Sequence, residues 1–394
     1  MKKINTFIFF FSGIFLSLSA YPCSNVMVSG DGFAAVARSM DLEANTGNLF
    51  GLGLAGEKNT SNINIPQQYP IKAITWKNKY SFLGQTGFGL PIICDGINSQ
   101  GLYAGFLYLP GMARYPNYNP KDNRRELAVT NTINYILGTS RNVTDALKNL
   151  NHVQLVFSAV QVNKKFATFP VHLVIRDKTG HSAVIEWVNH KTRVYDNAGP
   201  VLTNSPSYPW QVKNAKKYNY TFTGNTNKKW DGLYMNGSGF YGIPGDWTPP
   251  SRFVRLTQVT RHMPKPANEK QALYLSYSAL QSAIVPLGAN SAASIWLSLS
   301  DLKNSTYYFR PIFFVVSDKN DIQTYKMSPA YGQELQGYNV KQFARKYNQH
   351  TQLPKNWIHV KIKQGNIAKN IKQLNAEALS PTSGKSTVKF KLVN

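Results

Sequence analysis

Apolar residues along this chain fall in short runs broken by Gly, Asp, Asn and Pro, a pattern of many strands with few helices between them. Asn25-Val26-Met27-Val28 predicts a strand, Ser29-Gly30-Asp31-Gly32 a tight turn, and Phe33 to Arg38 the returning strand. The Asp-Gly pair supplies the positive φ that such a hairpin needs. Further strands are expected at Ile71–Trp76, Tyr80–Leu83, Leu102–Leu109, Val171–Arg176, Ser182–Val188, Thr306–Phe309 and Ile312–Val316. Helical spacing enters at Glu126–Leu137, with Val129, Ile133 and Ile136 on one stripe, and Gly138 as its stop. A short helix capped by Thr144 follows, and Asn268–Ile284 forms the clearest helix, with Leu273, Tyr277, Leu280 and Ile284 on one face. The Asn-, Gly-, Tyr- and Pro-rich stretch from Tyr218 to Pro250 reads as a long structured loop. Strands and helices come in blocks rather than as βαβ units, which predicts an α+β fold with largely antiparallel sheets. No repeat or linker divides residues 23–353, which read as one domain; residues 354–394 are a basic C-terminal extension.

The first hairpin makes a geometric prediction. Cys23 stands at the start of one strand, and Arg38 and Asp41 stand at the end of its neighbour. Antiparallel pairing brings those ends together. Cys23 then has two readings: half of a disulfide with Cys94, the only other cysteine, or a nucleophile.

Composition narrows the classes. The 394 residues are 42% hydrophobic and 13% aromatic, enough for a large core and too much for disorder. The formal charge of +25 would suit an anionic partner, but the lysines are scattered and no zinc-finger or RNA-binding aromatic signature accompanies them. No nucleic-acid partner is expected. Two cysteines are too few for a disulfide scaffold.

Residues 1–20 have the form of an export signal: Lys2-Lys3, a mostly apolar run from Ile4 to Leu18, and small residues at Ser19-Ala20. That run is 15 residues long, short of the ~20 a bilayer requires, and no later stretch is long enough to span. The expected location is a bacterial periplasm or the outside, with residues 1–22 removed. Pro22 before Cys23 is a poor lipoprotein site.

Much catalytic chemistry is missing. There is no Gly-x-Ser-x-Gly elbow, no phosphate loop and no paired-histidine zinc spacing, so neither metal nor cofactor is expected. A Cys–His pair using His172 or His181 stays open. So does a simpler arrangement. If Cys23 becomes the first residue, its α-amine, with an ordinary pKa of about 7.7–8, lies within reach of its own thiol and can serve as base. Arg38 would lower the thiol pKa, and Asp41 would orient the ammonium group.

Five stretches occur in one order: Cys23; Ala37-Arg38-Ser39-Met40-Asp41; Asp95-Gly96-Ile97-Asn98 with Gly101-Leu102; Leu202-Thr203-Asn204-Ser205-Pro206; and Pro244-Gly245-Asp246 followed by Ser251-Arg252-Phe253-Val254-Arg255. Together they resemble the choloylglycine hydrolase family, which includes bile salt hydrolases and penicillin V acylases. The resemblance implies a four-layer αββα sandwich of the N-terminal-nucleophile type that hydrolyses linear amides. It implies Cys23 as nucleophile, Arg38 and Asp41 flanking it, the Asn204 side chain and the Tyr108 backbone N–H as oxyanion donors, and Arg252 completing the polar cluster. Tyr108 matches a position that looks like asparagine in many bile salt hydrolases and tyrosine in penicillin V acylases. The implied partner is a small amide with an apolar acyl group and a small polar amine, and a homo-oligomer is allowed. The interval from Cys23 to Arg38 looks one residue shorter than in Gram-positive members, so a tighter turn is expected. The rival class is a non-catalytic exported binding protein with a Cys23–Cys94 disulfide.

Overall fold

A computed structural model describes residues 22–42, 49–61, 72–87, 92–158, 160–162, 165–167, 169–219, 229–234, 237, 239–312, 336–339, 372–377 and 389–391. Two antiparallel sheets dominate. We number their strands β1 (Cys23–Gly30), β2 (Phe33–Leu42), β3 (Leu49–Gly53), β4 (Phe82–Thr86), β5 (Ile93–Asn98), β6 (Leu102–Tyr108), β7 (Val171–Asp177), β8 (Ser182–Val188), β9 (Lys191–Asp196), β10 (Val201–Leu202), β11 (Ala293–Asp301), β12 (Thr306–Pro311), β13 (Gln336–Asn339), β14 (Lys372–Glu377) and β15 (Lys389–Lys391). The first sheet runs β10-β1-β2-β11-β12-β13, and the second β9-β8-β7-β6-β5-β4-β3-β14-β15. The helices are α1 (Thr132–Thr139), α2 (Val143–Asn151), α3 (Tyr208–Lys216), α4 (Pro249–His262) and α5 (Glu269–Gln281). Helices α4 and α5 cover β1 and β2 of the first sheet, while α1 and α2 cover β5, β6 and β7 of the second. The layers are therefore αββα, as expected.

The opening hairpin is tighter than its sequence pattern suggests. Gly30 pairs with Phe33, so the turn is Asp31-Gly32 alone, with Gly32 at a φ of 79°. The strand passes Arg38 and continues to Leu42, and Cys23 lies opposite Met40. Beside it runs β11, whose register shifts between Ser294 and Trp296. Without that bulge the two residues would share a face, because strand side chains alternate. With it, Ser294 lies across from Asp41 on the helix side, and Trp296 lies across from Met40 between the sheets.

Several expectations are corrected. The helix expected from Glu126 begins instead as a short strand, Arg125–Ala128, parallel to Val153–Val156, and α1 starts only at Thr132. Backbone bonds on both sides, including Ile74 N–H to the Glu126 carbonyl at 2.8 Å, outweigh the helical spacing. The cap of α2 is Asn142, which accepts from the Asp145 N–H at 2.8 Å, rather than Thr144. Helix α5 is capped by Asn268 and buries Ala272, Ser276, Ala279 and Leu280; of the expected stripe Leu280 is fully buried, while Leu273, Tyr277 and Ile284 pack half-buried at its flank. Small side chains let it lie close against β1 and β2. Within the 218–250 stretch, Lys229–Trp230 and Leu233–Tyr234 form a small hairpin. The strand expected at Ile312–Val316 lies largely outside the described residues, as do the export signal and most of the C-terminal extension.

The turn joining β5 to β6 fixes their register. Asn98 donates to the carbonyls of Leu137 and Ser140 at 2.9 and 2.7 Å and accepts from the N–H groups of Gln100 and Leu102, tying the end of α1 to the turn. Gly101 sits at a φ of 83°, and a Cβ there would come within 1.9 Å of the Leu302 carbonyl oxygen. Gly101→Ala therefore meets both backbone strain and a backbone clash. It should cost roughly 3 kcal/mol in urea unfolding; an unchanged midpoint would show that the turn relaxes freely.

Candidate active site

Cys23 is 2% exposed and opens β1. Its N–H donates to Asn204 Oδ1 at 2.6 Å, its carbonyl accepts from Arg252 Nη1 at 2.8 Å, and its Sγ lies 3.6 Å from Met40 Sδ. The strand's alternation divides its neighbours. Arg38, Met40 and Cys23 occupy the face between the sheets, whereas Asp41 and Arg252 meet on the helix side.

Between the sheets, Arg38 is fully buried. Its Nη1 donates to the Cys94 carbonyl at 2.6 Å and to Asp95 Oδ1 at 3.1 Å, and its Nη2 donates to the Phe106 carbonyl. Gly105 makes room for it: a Cβ there would lie 2.6 Å from the Tyr103 hydroxyl and 3.2 Å from Arg38 Nη1. Asp95 also accepts from Tyr103, from Ser298 at 2.6 Å and from Tyr307 at 2.7 Å. Tyr103 and Tyr307, buried beside this carboxylate, are held well above the usual phenol range. They stay protonated and donate.

On the helix side, Arg252 comes from the first turns of α4. It reaches the Cys23 carbonyl, the Ser24 hydroxyl and, at 2.9 Å, Asn204 Oδ1, and lies 3.7 Å from Asp41 Oδ2. Asp41 accepts from Ser294 through Oδ1; its Oδ2 has no hydrogen-bond partner among the described residues. Burial pushes the Asp41 carboxyl up to about 6, opposed by Arg252 and by the hydrogen bond from Ser294. Burial also raises the Cys23 thiol, opposed first by Arg38.

Asn204 follows β10, which pairs with β1 through Asn25 and Leu202. Its Nδ2 donates to the Tyr108 carbonyl at 2.9 Å. Cys23, Arg38 and Tyr108 line one narrow cavity of about 70 Å³, together with Met40, Phe106 and Phe169. All six residues singled out in the sequence thus meet around Cys23. The surrounding Asp95, Tyr103, Ser298 and Tyr307 were not given roles. The inward alternation of serines and Trp296 on β11 is the signal that could have marked that polar layer.

Neither His172 nor His181 pairs with Cys23. His172 is buried against Glu186 Oε1 and the Thr203 carbonyl, and His181 pairs with Asp196 on the far hairpin. Nor is the Cys23–Cys94 disulfide present: both cysteines are free. Cys94 donates to the Gln85 carbonyl at 3.2 Å, and burial pushes its thiol up to about 12. Among the described residues, no three His, Cys, Asp or Glu side chains gather as a metal would need.

Two layered sheets with a cysteine at the start of a central strand define the class. Solved structures share the fold: a mutant of the conjugated bile acid hydrolase from Clostridium perfringens has a TM-score of 0.63 at 24% identity, covering 80% of this chain and 96% of that one. Penicillin V acylase from Agrobacterium tumefaciens has a TM-score of 0.59 at 22% identity, covering 73% and 82%. The model of the linear amide C–N hydrolases, choloylglycine hydrolase family, matches residues 23–331, and the chain belongs to that family. Its relatives include a bile salt hydrolase/transferase of Clostridium perfringens, 27% identical over 81% of this chain and 94% of the relative. A penicillin V acylase of Pectobacterium atrosepticum is 25% identical over 60% and 65%. The protein is a hydrolase of carbon–nitrogen bonds in linear amides, which sets aside the non-catalytic alternative.

The Asp41 carboxyl supplies a pH test. Between its ordinary 3.8 and the folded value of about 6, the folded chain holds a proton that the unfolded chain has released. This contribution to stability is thus present at low pH and is lost as pH rises through that window, by roughly 3 kcal/mol in all. The stability of the parent protein relative to Asp41→Asn should fall by that order between pH 4 and 7 in urea titrations. A constant difference would mean Asp41 is ionised throughout.

Proposed function

We propose that this chain is an exported amidase that uses Cys23 as an N-terminal nucleophile. One observation carries the reading: the Cys23 nitrogen is anchored on Asn204 Oδ1 while its thiol shares a cavity with Arg38. Removal of residues 1–22 turns that nitrogen into an α-amine whose ordinary pKa of about 7.7–8 suits a base at neutral pH. The unfilled Asp41 Oδ2 and the Asn204 Oδ1 are acceptors for the resulting ammonium.

The chemistry then follows. The amine takes the thiol proton, and the sulfur attacks the amide carbonyl. An asparagine amide nitrogen carries two protons; one is given to the Tyr108 carbonyl, and the other is assigned to the oxyanion. The Tyr108 backbone N–H is the second donor. The ammonium protonates the leaving amine, and water then releases the acyl group from the thioester. Arg38 and Arg252 favour the thiolate by charge. Arg252 also holds the Cys23 carbonyl, so that the nucleophile's backbone does not shift as charge moves.

The amides cleaved by the relatives frame the substrate: conjugated bile salts, penicillin V, and by family resemblance N-acyl homoserine lactones. A narrow cavity lined by Phe106, Tyr108 and Phe169 favours a flat or slim acyl group over a rigid tetracyclic one. Penicillin V is therefore the preferred probe. Export rests on the Lys2-Lys3 and Ile4–Leu18 pattern. Among the described residues no helix is long and apolar enough to cross a membrane.

The mature secreted protein should begin at Cys23 with a free thiol in intact-mass analysis, and Cys23→Ala should lose all measurable turnover while keeping its melting temperature. A start at Tyr21, or turnover surviving in Cys23→Ala, rejects this mechanism. Penicillin V should exceed glycocholate by about tenfold or more in kcat/KM; the reverse order would show that the acyl site opens to admit a steroid.

A further inference from the structure

Outside the six residues around Cys23, the inner face of the second sheet carries a buried titratable pair that the mechanism above does not use. His172 on β7 and Glu186 on β8 lie side by side, fully buried, with Nδ1 and Oε1 3.1 Å apart. The same Glu186 oxygen accepts from the Tyr208 N–H at 2.8 Å, and His172 Nε2 lies 2.9 Å from the Thr203 carbonyl oxygen. A carbonyl can only accept, so Nε2 carries its proton and donates. The other ring nitrogen, Nδ1, faces the carboxylate.

What this pair holds is specific. Thr203 and Tyr208 bracket the segment that carries Asn204. Thr203 ends the strand that reaches β1, and Tyr208 begins α3, where a helix N–H lacks a partner in the helix. The pair thus grips the segment at both ends, from the opposite sheet. Within it, Gln211 donates to the Asn204 carbonyl at 3.1 Å, and Ser205 donates to the Pro110 carbonyl at 2.7 Å. Gln211, on α3, also reaches back to the Thr203 hydroxyl at 3.4 Å, so His172 and Glu186 join the two ends from the opposite sheet while Gln211 joins them from within α3. Asn204 in turn touches both the Cys23 nitrogen and the Tyr108 carbonyl. An error in its place would move the nucleophile's amine and the oxyanion donor together.

We propose that His172 and Glu186 are positioning residues for amide hydrolysis, a buried clamp that holds the Asn204 segment in register with Cys23. The proposal rests on the reading that Cys23 and Asn204 perform the chemistry. It assigns the clamp no contact with substrate. Binding of the acyl group in the cavity should therefore be spared, and the loss should fall on the chemical step.

The test uses the mature protein in three forms: parent, His172→Leu, and the double variant His172→Leu/Glu186→Met. The double variant removes the buried carboxylate together with its partner, since apolar replacement of both members of a buried ion pair is commonly tolerated where loss of one is not. Turnover of penicillin V is measured on the monodisperse fraction from gel filtration, which removes unfolded chains, and is expressed per Cys23 thiol alkylated by iodoacetamide, with peptide mass mapping to separate Cys23 from Cys94. The clamp predicts a kcat about 10²-fold lower in the double variant, with KM within about threefold of the parent, the scale of loss expected for a misplaced oxyanion donor. A kcat per thiol equal to the parent's would overturn the clamp, as would a loss confined to KM. Cys23→Ala run alongside separates the two levels. Turnover surviving in that variant rejects the nucleophile itself, whereas a dead Cys23→Ala with a fully active double variant rejects the clamp alone.

Discussion

The arrangement depends first on one buried ion pair. Arg38 and Asp95 face each other across the space between the sheets, both fully buried. Taking two charges out of water costs several kcal/mol per ion, repaid only when the remaining donors and acceptors are filled. Here all but the Arg38 Nε are filled, from five strands: Arg38 from β2, Asp95 and the Cys94 carbonyl from β5, Tyr103 and the Phe106 carbonyl from β6, Ser298 from β11, and Tyr307 from β12. A second chain of bonds runs from Tyr103 to Asn25 at 2.9 Å, and from Asn25 to Arg176 at 2.9 Å, reaching β1 and β7. Sheet packing by apolar contact alone would tolerate sliding. A carboxylate with four donors does not. The register of β2 is thereby fixed, and with it the place of Cys23, which opposes Met40 two residues beyond Arg38.

The same pair explains how the site divides. Arg38 and Asp41 are three residues apart on one strand, so they cannot share a face. Arg38 is spent on the layer between the sheets, close enough to the thiol to lower its pKa. Asp41 is left to the helix side, where the β11 bulge delivers Ser294 and α4 delivers Arg252. Cys23 is held by its backbone from the helix side and tuned through its sulfur from the other. The proposed mechanism, in which the nucleophile's own amine is the base, needs both, because amine and thiol point in different directions from one Cα.

Much of this was legible in the chain, for identifiable reasons. The Asp31-Gly32 turn announced the hairpin, and antiparallel pairing then brought Cys23 beside Arg38 and Asp41. Which face each side chain took was not legible, since the bulge between Ser294 and Trp296 leaves no mark in the alternation. Glu126–Leu137 misled because helical spacing of Val129, Ile133 and Ile136 coexists with a strand held by bonds from distant residues. Leu273 and Tyr277 placed the buried face of α5 slightly off its centre, which Ala272, Ser276 and Ala279 occupy, because size is a poor guide where a helix must approach a sheet closely. Arg252 carried a motif but no visible secondary structure; two prolines, Pro249 and Pro250, begin its helix and could have been read as a helix start. His172 was open as a partner for Cys23; its pairing with Glu186 was beyond reach, because what the pair holds is a backbone carbonyl and a backbone N–H, which have no residue identity to recognise.

The electrostatics close the account of the site. The scattered lysines dominate the formal charge, but they are not what the thiol experiences. Around Cys23 the buried charges are Arg38, Arg252 and, one step further out through Asn25, Arg176, against Asp41 and Asp95. With Asp41 ionised, three cations stand against two carboxylates. Burial alone raises the Cys23 thiol pKa and would keep the sulfur protonated. The surplus cation works against that penalty, and it does so for any anion formed at the same place. In the proposed mechanism, attack moves the negative charge from the sulfur to the former carbonyl oxygen, a displacement small compared with the reach of a buried charge in a medium of low polarisability. On that proposal a preformed cationic surplus held by strands that cannot slide serves the thiolate before attack and the oxyanion after it, without rearrangement between the two.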